Sequence, residues 1–313
     1  MMHALRLLGR QARWALPMGV FLGILLPALA QASRPLLNVA VIGTLTAALL
    51  RLDWDRLGQA LRAPRLPALL SVWQLLLSPV LVFALVHAVR LPDVFVLILV
   101  LQAAAPPIGS SSAFAMFLGL DGSLAMVGAA WMTLLLPLSL TAVVAWLLPQ
   151  FGIEVDVLAF FVRVSLFALS PFVLAWLLRR CLGVQRLRDQ DAALAGVNVV
   201  MLVIFALAVM DGVTAAFWAQ PSRVLGLLLA ACVAGVFWHA VGYLLFRRHG
   251  LQTAYTAALL NGNRNMGLML AVTVGTAGEA FGLYVGIAQI PMYFAPLLLG
   301  PFVRRSLQHR SAT

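Results

Sequence analysis

The stretch Asn261-Gly262-Asn263-Arg264-Asn265-Met266-Gly267 sets three amides and a guanidinium inside an otherwise apolar run. An Arg at mid-membrane costs about 2.5–3.5 kcal/mol on insertion scales, so a residue kept there is expected to have a task. The chemistry on offer is binding. A guanidinium presents a planar fork of donors that suits a carboxylate or another oxyanion. Arg264, Asn265 and Asn261 are therefore candidate substrate ligands. A structural alternative stays open, in which Arg264 pairs with backbone carbonyls freed by the break.

A second polar interruption reads Ala105-Pro106-Pro107-Ile108-Gly109-Ser110-Ser111-Ser112. Pro106 and Pro107 remove two backbone donors and Gly109 loosens the turn. The serines are expected to cap the half-helix that follows, and Ser112 joins the substrate candidates through its hydroxyl. Half-helix N-termini favour anions and C-terminal carbonyl ends favour cations, so two crossing broken helices supply sites for both signs. Pro106, Pro107, Gly109, Gly262 and Gly267 are the helix-break residues. Broken spans survive where the opened backbone lines a protected polar cavity. A matched pair of them points to a transporter's binding site.

Other polar residues are sparse. Gln74 precedes Pro79, and Thr133 precedes Pro137; with Asn38, Gln102, Asn198 and Gln289 they read first as helix–helix hydrogen bonds. His87 and His239 fall toward span ends and are secondary candidates for carrying protons. Trp54, Trp146 and Trp218 suit an interfacial belt. No carboxylate lies at mid-membrane, which argues against a carboxylate proton relay. The HExxH, P-loop and GxSxG patterns are absent, so the expectation is a protein that is not an enzyme and carries no cofactor.

The elements that must hold these residues are membrane helices. The chain is 63% hydrophobic and 10% charged, with a mean hydropathy of +1.01, far from a soluble domain. Ten candidate spans fall near 14–31, 35–50, 67–89, 93–119, 123–149, 157–178, 192–210, 222–246, 252–277 and 280–302. The fourth and ninth are the broken ones, each fourth in a set of five. That spacing predicts two five-helix repeats, 1–150 and 151–313, inserted in opposite orientations. All 21 basic residues are Arg, which suggests a GC-rich bacterial genome. With both termini cytoplasmic, 16 arginines fall in cytoplasmic segments, 3 in outer loops (Arg34, Arg90, Arg223) and 2 within spans (Arg163, Arg264). That bias obeys the positive-inside rule. It assigns the net charge of +11 to topology in a bacterial cytoplasmic membrane and removes the case for a nucleic-acid partner.

In order and spacing these features resemble the bile acid:sodium symporter family over most of the chain. The resemblance is carried by Gln74…Pro79 in span three and the preceding Arg62-Ala63-Pro64-Arg65. Further along it rests on Ala105-Pro106 through Asp121, Thr133-Leu134 with Pro137, Gly242-Tyr243, and Asn265-Met266-Gly267-Leu268. It implies a panel domain, a core domain containing the crossing spans four and nine, and uptake of organic anions with sodium as coupling ion. Carried over by position, it makes Gln74, Ser111, Ser112 and Thr133 cation candidates; Asn263, beside Arg264, joins them. The chain departs from the pattern at Ser112, where the family has Asn, and at Ala129, where it has Ser. Leu260 stands for a sodium-binding Glu, and Arg264 for a Gln.

Those departures bear on charge. Sodium needs several hard oxygen ligands, and a carboxylate offsets its charge. Here the carboxylate is missing and a guanidinium is added; at roughly 5 Å and an effective dielectric near 20, two like charges repel by about 3 kcal/mol. The expectation is an alternating-access carrier of a small organic anion, embedded in lipid, with sodium coupling weakened or absent and Arg264 supplying fixed positive charge. Two alternatives stay open: an ion-independent exporter or oxyanion permease, and a membrane receptor that binds without transport.

Overall fold

The computed structural model describes residues 12–52, 54–55, 58 and 65–311. The basic stretch Arg62-Ala63-Pro64 lies outside the described residues, as do Arg6, Arg10 and Arg56. Every regular element among them is helical, apart from one isolated β-bridge. Seven helical stretches are long and apolar enough to cross a bilayer, by length and composition: Pro27–Arg51, Arg65–Ala88, Gly122–Phe151, Val157–Leu182, Asp191–Ala219, Pro221–His249 and Gly278–Leu307.

The other three expected spans are shorter, for local reasons. Helix α1 (Ala12–Leu25) stops at Leu26, where the sequence reading carries span one on to residue 31. Pro27 follows, and a proline pushes the residue before it away from helical angles; Leu26 sits at φ −123°, ψ 73°. The chain then runs through α2 (Pro27–Ser33), a 3-10 turn and α3 (Leu37–Arg51). Span four is split into α6 (Asp93–Ala104) and α7 (Ser111–Leu118). Span nine is split into α14 (Leu251–Gly262) and α15 (Met266–Val272).

Span three combines α4 (Arg65–Ser71), a π-helical segment (Val72–Leu77) and α5 (Ser78–Ala88). The remaining helices are α8 (Gly122–Leu147), α9 (Val157–Leu182), α10 (Val184–Asp189), α11 (Asp191–Val209), α12 (Val213–Ala219), α13 (Pro221–Phe246) and α16 (Gly278–Ser311).

Around α11 are packed α1, α2 and α3, with α9 also against α3; elsewhere α13 lies along α14 and α16, and α8 along α7. The antiparallel pair α3 and α11 is tied at both ends. Arg51 places Nε and Nη2 on the Asp191 carboxylate at 2.6 and 2.9 Å, and Arg34 reaches Asp211 at 2.6 Å. Arg179 donates to the carbonyls of Leu50 and Leu52, bringing the end of α9 to the Arg51 end of the pair. Exposed ion pairs of this kind contribute about 0–1 kcal/mol each, so they fix which helix ends meet more than they hold the bundle together.

A close backbone-to-backbone approach behind the broken span is at Gly242 of α13. A Cβ there would lie 2.9 Å from both Ala257 O and Ala258 Cα of α14. Gly242→Val is expected to cost about 1–3 kcal/mol by overpacking, read as a lowered Tm in detergent. Gly226→Ala, on the same helix with open space around it, should hold or slightly raise Tm.

Candidate substrate and cation site at the helix crossing

The two breaks meet. Pro107 and Arg264 pair as an antiparallel bridge, with Ile108 N–H donating to Asn263 O at 2.9 Å and Asn265 N–H donating to Pro106 O at 2.7 Å. Hydrocarbon cannot hydrogen-bond opened main chain; each break here supplies the partners the other lacks.

Arg264 fills the centre of the crossing and is 1% exposed. Its Nε donates to Asn261 O at 2.8 Å. Nη1 donates to Gln74 O and Ala105 O, each at 3.2 Å, and makes a short contact with Ala103 O. Nη2 has one long contact, 3.4 Å to Ser78 Oγ. The Trp238 ring lies 4.4 Å from the guanidinium carbon, within cation–π range. Trp73 packs edge-on against Trp238 and donates Nε1–H to Asn261 Oδ1 at 2.8 Å.

Prolines explain why these carbonyls are free. In the π-helical segment Ser78 N–H reaches back five residues to Trp73 O. The next donor in that register belongs to residue 79, a proline with no N–H, so Gln74 O loses its helical partner. Pro107 likewise has no N–H to offer Ala103 O four residues back, and Ala105 lies past the end of α6. Ser78 Oγ lies 2.8 Å from both Gln74 O and Ala103 O. The Gln74 amide donates to Leu260 O at 3.2 Å and Ala105 O at 3.4 Å. A guanidinium thus sits in a cup of oxygens that two prolines leave open.

The other candidate residues divide by position. Asn265 caps α15, its Oδ1 accepting from Leu268 N–H at 3.0 Å. Asn261 and Asn263 donate to Ala257 O and Leu259 O, and Asn263 Oδ1 is buried without a partner. The serines do not cap α7 as expected. Ser110 stands at the cap position with no side-chain cap bond and a buried, unpartnered Oγ. Ser111 instead turns its hydroxyl to Ile108 O at 2.7 Å, satisfying a carbonyl inside the break. Ser112 is buried on α7. Thr133 on α8 bonds back to Ala129 O at 2.7 Å.

Gly109 and Gly267 matter for space, since neither has positive φ. A Cβ on Gly109 would lie 3.1 Å from Leu45 Cδ2, and one on Gly267 would lie 2.5 Å from Phe205 Cε2. Leu45 of α3 and Phe205 of α11 therefore sit on the two breaks. Beside them are two cavities of about 20 Å³, one lined by Thr44, Asn265 and Gly267, the other by Thr133, Ala129 and Phe172.

His239 corrects the sequence reading, which places it toward a span end. Its ring packs on Gly262, where a Cβ would overlap it, and Nε2 lies 3.4 Å from Asn263 Nδ2. Trp73, Ser78 and Trp238 were also missed. The usable signal was their place beside residues already singled out, Gln74 and His239, and a glycine in span nine that needed something bulky opposite it.

An all-helical, multi-pass bundle in which two interrupted spans cross over a shared polar centre has the build of a membrane transporter. The profile of the sodium bile acid symporter family matches residues 38–218, which include the first break. The chain belongs to that family, whose members are membrane transporters. No curated protein matches the chain.

Arg264→Leu should orphan Asn261 O and one of Gln74 O and Ala103 O, because the single Ser78 hydroxyl proton can serve only one of that pair. At about 1–3 kcal/mol for each buried group left unsatisfied, the loss is expected to be about 2–6 kcal/mol. It is measured as a drop in Tm relative to Arg264→Lys, which retains a donor and a charge.

Proposed function

We propose that the chain is a secondary carrier of a small organic anion in the bacterial cytoplasmic membrane, and that Arg264 takes the place of a coupling sodium. The observation that carries this reading is the set of main-chain oxygens around the guanidinium. Gln74 O, Ala103 O, Ala105 O and Asn261 O form the kind of hard-oxygen cup that a small cation would use, and a covalently tethered cation engages it.

The carboxylate expected beside a sodium is absent and two of the cation candidates, Ser111 and Thr133, have their hydroxyls engaged, while Gln74 Oε1 and Asn263 Oδ1 are buried acceptors without a partner. Leu260, where the resemblance puts a sodium-binding Glu, is fully buried in an apolar cluster with Leu70, Leu75 and Met132. The hydroxyls of Ser111 and Thr133 point to their own backbones. No step of the cycle is therefore assigned to sodium.

In this reading α1–α3, α9 and α11 form the panel and the crossing belongs to the core, within two oppositely inserted repeats whose termini are both cytoplasmic. Substrate binds between panel and core, in front of Asn265 and Ser112. The positive charge behind the break attracts the anion, while Nε and Nη1 stay on their carbonyls. Leu45 and Phe205 must leave Gly109 and Gly267 for substrate to enter, because cavities of about 20 Å³ hold no more than about one water.

Cholate counterflow in proteoliposomes tests this, with sodium or choline as the external cation. Equal rates in the two buffers are expected, and the double variant Leu260→Glu/Arg264→Gln should acquire a sodium requirement. A native rate that rises steeply with sodium would overturn the tethered-cation reading; absence of counterflow by cholate and by a panel of other carboxylates and sulfonates would overturn the carrier reading.

A further inference from the structure

A second, much larger cavity lies on another side of the crossing. It occupies about 590 Å³ between α13, α14 and α16, within the range of about 300–1,000 Å³ typical of ligand pockets. None of the residues lining it comes from α1, α2, α3, α9 or α11, so it is separate from the interface where Leu45 and Phe205 sit. Its walls are almost wholly apolar. Val236 and Leu298, on its walls, are 73% and 69% exposed on the outside of the bundle. In a membrane-embedded protein that outside is lipid, so the cavity opens sideways into hydrocarbon.

Its polar lining is Gln102, His239, Arg264 and two tyrosines. The Gln102 carbonyl oxygen is already taken by the Tyr284 hydroxyl at 2.7 Å. His239 Nδ1 lies 2.7 Å from Gly235 O. A carbonyl only accepts, so Nδ1 carries the proton and Nε2 is left as an acceptor, with Asn263 Nδ2 at 3.4 Å as its one contact. Arg264 has Nη2 on a single 3.4 Å contact. The ion pairs among the described residues, Arg34–Asp211 and Arg51–Asp191, do not involve Arg264. An apolar chamber open to lipid thus ends at a buried cation with an underused donor and at a neighbouring acceptor nitrogen.

We propose that this chamber binds a single-chain carboxylic acid from the bilayer, with its chain along α13 and α16 and its carboxyl group at His239 and Arg264. Arriving through hydrocarbon favours the neutral acid, since a bare carboxylate is costly there. The acid O–H donates to His239 Nε2 and the acid carbonyl accepts from Arg264 Nη2, with no proton transferred. The chain itself gains little on leaving lipid, because lipid tails are as apolar as the chamber walls. Discrimination therefore resides in the carboxyl end. The carrier reading shares only Arg264 with this site.

The test is saturable binding of tritiated oleic acid to the purified full-length protein in nanodiscs, with oleyl alcohol and methyl oleate as competitors. Oleic acid should bind at least about tenfold more tightly than either competitor, and His239→Leu should erase that preference. Ala295→Trp and Ala240→Trp, which fill the chamber from α16 and α13, should each lower binding about tenfold or more; folding is checked by gel filtration and Tm. Equal affinity for acid, alcohol and ester would overturn the proposal, as would native-level binding in a folded chamber-filling variant. Loss of cholate counterflow with oleate binding intact would count against the carrier reading alone.

Discussion

Main-chain carbonyls freed by a proline have nowhere to turn inside hydrocarbon, and the rest of this structure follows from how they are satisfied. Pro79 in a π-helical register frees Gln74 O, and Pro107 frees Ala103 O. Two further oxygens, Ala105 O and Asn261 O, come from the broken ends themselves. Four oxygens converging in a low-dielectric interior call for a cation, and the side chain of Arg264 supplies it. The Trp238 face covers the guanidinium on another side, where water would otherwise compete. The β-bridge between the breaks and the guanidinium cup are one arrangement, because the bridge fixes the backbone of Arg264 and the cup fixes its side chain.

That arrangement has consequences for motion and ligands. A bound metal ion can leave at each turnover, whereas a tethered guanidinium cannot. A carrier built this way keeps its crossing assembled throughout the cycle, and movement must come from the surfaces that slide on it. Those surfaces are where Leu45 and Phe205 rest against Gly109 and Gly267. The charge remains after the carbonyls are satisfied, since carbonyl oxygens are dipoles without net charge and no ion pair among the described residues involves Arg264. An oxygen acceptor is the complement the site lacks: an anion in the proposed carrier reading, the carbonyl of a neutral acid in the proposed lipid-side chamber.

Much of this was legible before the structure. Ala105–Ser112 and Asn261–Gly267 announced themselves because polar and helix-breaking residues are conspicuous in an apolar chain, and both turned out to be true breaks that meet. The structural role of Arg264 was visible as an alternative, though its acceptors were not, since a carbonyl leaves no mark in a sequence. Ser110–Ser112 misled because a serine after a break suits a cap, while the geometry of the break gave Ser111 a nearer acceptor in Ile108 O. His239 was set toward a span end as a secondary proton candidate and Trp238 was passed over, because distance along a span says little about depth at a crossing; only Gly262 opposite the histidine ring marked the place. The early end of α1 followed from Pro27, a local signal that hydropathy averages away.

The most direct measurement is equilibrium binding of radiosodium to the purified protein, native and Arg264→Gln, at matched ionic strength. The account predicts no saturable binding to the native chain and saturable binding once the guanidinium is removed from the oxygen cup. Saturable binding to the native chain that the substitution leaves unchanged would show that sodium and Arg264 do not compete for the same oxygens, and would contradict it.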